Sequence, residues 1–88
     1  MTRYRRHAAT VSTELGDEVV ALQLDTKRYY TLNVTAACVW RALVAEADEA
    51  ELADLLTREF MIDAHEARPH VESLLGQLLE WRLVERCG

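Results

Sequence analysis

The pattern of this sequence changes from strands to helices within the stretch RYYTLNVTAA, residues 28–37. Its first five residues are rich in aromatic and β-branched side chains, which favour a strand. Asn33 and Thr35 follow, and either side chain can accept a hydrogen bond from a backbone amide that a helix start leaves unpaired. Apolar residues then recur at helical spacing. The stretch therefore predicts a strand, a cap and a helix in direct succession.

Two more strands are predicted upstream of this stretch. Residues 7–13 and 18–25 favour strands, and residues 15–17 and 25–27 supply the turns between strands. Gly16 can adopt the positive φ angle that a tight turn requires. Three short strands joined by tight turns predict an antiparallel meander.

The second strand of this meander has two unlike faces. The even-numbered face is strongly apolar and the odd-numbered face is mixed. The even-numbered face consists of Val20, Leu22 and Leu24, and the odd-numbered face consists of Val19, Ala21 and Gln23. Because successive side chains of a strand point to opposite sides, we expect the even-numbered face to be the one that the helices cover.

Three helices are predicted downstream. Asp48 and Asp63 are the expected caps of the second and third helix. Pro69 should lie in the first turns of the third helix or mark a slightly later start, because a proline inside a helix costs about 3 kcal/mol. Apolar stripes at helical spacing run along the three helices: Ala36, Ala37, Val39, Trp40, Leu43 and Val44; then Leu52, Leu55, Leu56 and Phe60; then Val71, Leu74, Leu75, Leu78, Leu79 and Trp81.

These elements predict an α+β, winged-helix-like fold, in which a three-stranded antiparallel meander is followed by three helices that cover it. With 88 residues, the chain is predicted to form a single domain over residues 1–88. Residues 1–6 contain three arginines and are predicted to form a flexible basic arm.

The charge of the chain is acidic and unevenly distributed. The formal net charge is −5, and residues 46–66 hold eight acidic side chains and one basic side chain. Such a surface repels phosphate backbones, so we expect no nucleic-acid partner. No stretch approaches the roughly 20 apolar residues of a membrane helix, and no pattern pairs Cys38 with Cys87. We therefore expect a cytoplasmic protein with free thiols and no membrane partner.

No residue pattern indicates catalysis. His65 and His70 are five residues apart and lie about 140° apart around a helix, which is unsuited to binding one metal ion. No serine, cysteine or lysine stands in a pattern that would activate it as a nucleophile, and the three glycines form no phosphate-binding loop. We therefore expect no catalytic site, no metal site and no cofactor.

The last strand of the meander, residues 28–32, is expected to leave one edge unpaired. If Val71, Leu74, Leu78 and Trp81 face the core, Leu75 and Leu79 lie on a flank of the third helix beside that edge. An open edge and an apolar groove together favour the addition of a peptide as an extra strand. The alternative is a homodimer through the same edge.

The residues that follow this edge resemble the PqqD-like proteins. The run from Tyr30 to Ala37 fits the signature Tyr-x-Leu-Asn-x-Thr-Gly/Ala-Ala, and Val39-Trp40, Leu43 and the later leucine pattern continue the match. Many relatives have glycine where this chain has Ala36, a difference expected to affect helix packing rather than binding. The resemblance covers roughly residues 7 to 85.

The resemblance implies a winged-helix-like protein that binds the leader segment of a ribosomally synthesised precursor peptide. The leader would add as a strand to residues 28–32 and pack on the helix at residues 70–82. The implied peptide-binding residues are Arg28, Tyr29, Tyr30, Thr31, Leu32, Val71, Glu72, Leu75, Leu78 and Leu79. A short freestanding chain most resembles the lasso-peptide proteins that deliver the precursor to a leader peptidase and a cyclase. PqqD proper, which presents its peptide to a radical SAM enzyme, is the alternative.

Two alternatives of other classes are considered. A winged-helix DNA-binding regulator requires a basic helix, but the second helix has five acidic residues against Arg58 alone. A structural homodimer would pair its open edge with a second copy. In the peptide-binding interpretation, the acidic second helix, including Glu51 and Asp54, is a candidate docking face for the modifying enzymes.

Overall fold

The computed structural model describes residues 2–87, so Met1 and Gly88, the ends of the predicted domain, lie outside the described residues. The elements in chain order are β1 (Arg3–Arg6), β2 (Thr10–Leu15), β3 (Glu18–Gln23), β4 (Arg28–Leu32), α1 (Val34–Ala42), β5 (Ala47–Asp48), α2 (Glu49–Phe60), α3 (Ala64–Glu80) and β6 (Val84–Cys87). The predicted α+β class, with an antiparallel meander followed by three helices, is confirmed.

The meander consists of β2, β3 and β4, with β3 in the middle. Gly16 has a φ of +64° in the turn between β2 and β3, where glycine carries no steric penalty. Along β4, Tyr30 pairs with Ala21 and Leu32 pairs with Val19. Because β3 lies between the other two strands, β2 and β4 are the edges of this sheet.

The prediction for the faces of β3 is wrong. The odd-numbered residues Val19, Ala21 and Gln23 are buried, and the even-numbered residues are half-buried or exposed. Gln23 is 0% exposed, and both polar atoms of its side chain have a hydrogen-bond partner. Its Nε2 donates to the carbonyl of Arg82 (3.1 Å), and its Oε1 accepts from the amide of Asp25 (2.6 Å). These bonds offset the cost of burying an amide, so the less apolar face can be the inner one.

Replacing Gln23 with leucine is expected to lower the free energy of unfolding by about 1–3 kcal/mol, although it adds an apolar group to the core. The Arg82 carbonyl and the Asp25 amide would lose their partner in a partly buried place. Urea denaturation measures the effect. The matched control is Gln77→Leu on exposed helix surface, which should change stability by no more than about 0.5 kcal/mol. Equal stability of both variants would contradict this role of Gln23.

Residues 3–6 do not form the predicted flexible arm. They form β1, the middle strand of a second antiparallel sheet in the order β5-β1-β6. Arg3 donates to Glu51 (3.1 Å) and to the carbonyl of Glu46 (3.0 Å), and Arg5 donates to Glu85 (2.7 Å). The partners are more than 40 residues away along the chain, so no local sequence pattern predicts this strand.

The helix starts agree with the prediction. The side chain of Asn33 accepts from the amide of Ala36, and that of Asp63 accepts from the amide of Glu66. Asp48 forms a reciprocal capping box with Glu51. Pro69 is the sixth residue of α3, within its first two turns, as expected. One member of the predicted α1 stripe is wrong: Val44 lies beyond the helix and is 79% exposed.

The core lies between the meander and the helices, and Trp40 is its largest side chain. The indole Nε1 of Trp40 donates to the hydroxyl of Ser12 in β2 (3.0 Å). The guanidinium of Arg6 lies 4.3 Å from the ring centre and also donates to the Trp40 carbonyl. Trp40 therefore connects both sheets to α1. Within residues 2–87, no helix has the length and hydrophobicity needed to cross a membrane.

Candidate functional site

The free edge of β4 is the starting point of the candidate site. One edge of β4 is hydrogen-bonded to β3. No strand among residues 2–87 pairs with the opposite edge of β4. Leu32 is buried and Tyr30 half-buried, whereas Tyr29 is 72% exposed and pairs with Leu22 on the outer side of the sheet. The strand therefore presents unpaired backbone groups along its edge and apolar side chains toward the helices.

α3 ends beside this edge, where its C-cap residue Trp81 contacts Tyr30 of β4. The rings of Tyr30 and Trp81 are stacked, with centroids 4.3 Å apart and planes at 16°. Next to this pair is a cavity of about 100 Å³. It is lined by Thr31, Leu32, Asn33, Ala36, Leu74, Gln77, Leu78 and Trp81. We call the open edge of β4 together with these lining residues the β4–α3 groove.

The structure brings part of the predicted site together. Thr31, Leu32 and Leu78 line the β4–α3 groove. Tyr30 stacks on Trp81, which is another lining residue. Other predicted residues are in different places. Val71 and Leu75 are buried in the core, Leu79 packs against the core, and Arg28, Tyr29 and Glu72 are exposed without lining the cavity.

The predicted flank of α3 is wrong by one position. Leu75 is 2% exposed and belongs to the core, whereas Leu74 is half-buried and lines the groove. Leu74 and Trp81 are seven residues apart, which places them on the same helix face. The apolar stripe of α3 is wider than one buried face needs. Periodicity alone therefore did not distinguish the core side from the groove side.

Three polar or small lining residues were missed. Asn33 and Gln77 place amide groups at the cavity, and Ala36 contributes its methyl group. Ala36 lines the cavity as well as packing within α1, so the expectation that this position affects helix packing rather than binding stays a prediction. The one feature of the sequence that could have indicated these residues is that Asn33 and Ala36 come within four residues of the end of the edge strand.

The chemistry of the groove is that of binding. All eight lining residues are uncharged, and the backbone of β4 supplies hydrogen-bond donors and acceptors. The two thiols lie outside the lining, and burial raises the pKa of both Cys38 and Cys87 above the usual value. Within the described residues, no group of three or more His, Cys, Asp or Glu side chains is arranged to hold a metal ion.

The family described as "Coenzyme PQQ synthesis protein D (PqqD)" matches residues 18–84, from the start of β3 to the start of β6. The chain belongs to the PqqD family. The match includes both walls of the β4–α3 groove, and it confirms the resemblance that residues 30–37 indicated. No curated protein sequence matches this PqqD-family chain.

Two solved structures are similar to this PqqD-family chain. One is TbiB1 in complex with the TbiA(beta) leader peptide, with 27% sequence identity and a TM-score of 0.86 over 92% of this chain and 94% of that one. The other is a lasso peptide synthetase B1 complexed with the leader peptide, with 23% identity and a TM-score of 0.81 over 93% of this chain and 96% of that one. At that identity the second likeness establishes the fold alone.

Proposed function

We propose that this protein is a non-catalytic recognition protein that binds the leader segment of a ribosomally synthesised precursor peptide. The observation that carries the proposal is the open β4 edge beside an uncharged cavity. Membership of the PqqD family and likeness to TbiB1, solved with a leader peptide, support it.

In this proposal the leader adds as a fourth strand to the meander, next to β4. Main-chain hydrogen bonds to β4 supply affinity that does not depend on the leader's sequence, and the cavity supplies specificity. Its volume of about 100 Å³ is smaller than the roughly 150 Å³ cavity that accommodates a benzene ring. It therefore suits one aliphatic side chain better than an aromatic one.

The proposed recipients of the bound precursor are a leader peptidase and a cyclase, as in lasso-peptide biosynthesis. The similar structure of a lasso peptide synthetase B1 with its leader peptide supports this pathway. Membership of the PqqD family also supports the alternative, in which a PqqD-type chaperone presents its peptide to a radical SAM enzyme. In either pathway the protein acts in the cytoplasm, where precursor peptides are made. The acidic surface of α2 remains our proposed docking face for the enzymes.

A direct binding measurement tests the proposal. The probe is a fluorescein-labelled synthetic peptide with the leader sequence of the precursor encoded beside the gene for this chain. We expect saturable fluorescence anisotropy with a dissociation constant of about 1 µM, equivalent to about −8 kcal/mol. Absence of binding to protein shown to be folded by circular dichroism would contradict the proposal. A dimer in sedimentation under the same conditions would then favour pairing between two β4 edges.

A further inference from the structure

Three basic residues lie near one end of the β4–α3 groove. Arg28 is the first residue of β4, and Lys27 precedes it in the turn. Arg82 follows α3, and its carbonyl accepts from Nε2 of Gln23 at 3.1 Å. Gln23 is the register partner of Arg28, so the backbone of Arg82 lies close to the start of β4. We call Lys27, Arg28 and Arg82 the basic end of the groove.

The basic end has no acidic partner within the part of the chain that the structure describes. The ion pairs among residues 2–87 involve Arg3, Arg5, His7, Arg41 and Arg68 on the basic side. Among residues 2–87, no carboxylate lies within 4.0 Å of the charged groups of Lys27, Arg28 or Arg82, although the chain has 15 acidic residues and a net charge of −5. All three side chains are exposed. The cluster is therefore available to an external anion.

The cavity of the groove carries no charge that could pair with a bound strand. All its lining residues are uncharged, and an open edge accepts a parallel or an antiparallel strand. An aliphatic side chain can enter the cavity in either direction. The basic end is therefore the charged end of the groove, and the uncharged cavity lies beside Leu32 at the other end of β4.

We propose that the bound leader carries an acidic side chain at the basic end of the groove. This inference rests on the proposed function. The cavity lies beside Leu32 and the cluster beside Arg28, four residues away, or about 13 Å along a strand. The acidic residue therefore lies about four residues from the aliphatic residue that fills the cavity. In an antiparallel leader it follows that residue, and in a parallel leader it precedes it.

A charge reversal with a matched control tests the inference. The labelled leader peptide is titrated against the wild type, Arg28→Glu and Arg58→Glu. Arg58 is an exposed arginine of α2 that also lacks an acidic partner within 4.0 Å among residues 2–87, and it is outside the groove. At 50 mM NaCl we expect Arg28→Glu to weaken binding roughly tenfold and Arg58→Glu to change it less than about twofold. At 500 mM NaCl the difference should shrink to less than about threefold, because salt screens exposed charges.

A second measurement does not depend on any protein variant. The leader peptide is synthesised with each Asp or Glu replaced in turn by Asn or Gln. One replacement, about four residues from the aliphatic anchor, should weaken binding to the wild type and have little further effect on Arg28→Glu. Equal affinities of Arg28→Glu and Arg58→Glu, or a leader without acidic residues that binds with micromolar affinity, would overturn the inference and leave the proposed function intact. Failure of the leader to bind the wild type would instead refute the proposed function.

Discussion

Replacing Leu74 with glutamate is expected to weaken leader binding at least 30-fold. Leu74 is half-buried and forms part of the apolar wall of the β4–α3 groove. A carboxylate at this position would have to lose its water when an aliphatic side chain enters the cavity, which costs about 2 kcal/mol or more. Fluorescence anisotropy with the labelled leader measures the affinity.

The matched control for this variant is Leu15→Glu. Leu15 is an exposed leucine in β2, the edge strand on the opposite side of the meander from β4. It should leave leader affinity within about twofold. Loss of binding in both variants, or in neither, would contradict the assignment of Leu74 to the groove. Leu75→Glu is not a suitable test, because it would bury a charge in the core and destabilise the whole fold.

Replacing Trp40 with alanine is expected to lower the free energy of unfolding by about 4 kcal/mol. Trp40 is 1% exposed, and its removal also takes away the donor to Ser12 and the ring beneath Arg6. A domain of 88 residues has a total stability of roughly 4–13 kcal/mol. The variant should therefore lose roughly a third or more of the total stability, as measured by urea denaturation followed by circular dichroism.

Trp40→Phe separates the contribution of packing from that of the hydrogen bond. It keeps an aromatic ring for Arg6 and loses the donor to Ser12, so we expect a loss of about 1–2 kcal/mol. Trp81→Ala is the second comparison, because Trp81 is half-buried and lines the groove. It should affect leader affinity more than stability. Equal destabilisation by Trp40→Ala and Trp40→Phe would show that ring packing contributes little.

The sequence predicted the parts of this structure that depend on neighbouring residues. Asn33, Asp48 and Asp63 begin the three helices as expected, because a cap needs only a side-chain oxygen and an amide three residues later. The turn at Gly16 likewise depends only on neighbouring residues. The open edge was also predictable, since the meander ends at β4 and the chain continues directly into α1.

The placement of the groove residues on α3 required the tertiary structure. Leu74 and Leu75 are adjacent leucines in a wide apolar stripe. The pattern of the helix alone does not show which of them faces the core. The positions of α2 and β4 decide between them, because α3 packs against α2 on one side and approaches Tyr30 and Leu32 on the other. The cavity lies next to the stacked rings of Trp81 and Tyr30.

By itself, the sequence determined the order of the predicted strands and helices, the helix starts and the family, because these depend on contacts or motifs within a few residues. Only the tertiary structure decided which face of β3 is buried, that residues 3–6 form a strand, and which leucine lines the groove. Each of these depends on partners distant in sequence: Gln23 needs the carbonyl of Arg82, and β1 needs β6. The free energy that stabilises these features comes from contacts between residues that are distant in sequence. No local sequence pattern indicates those contacts.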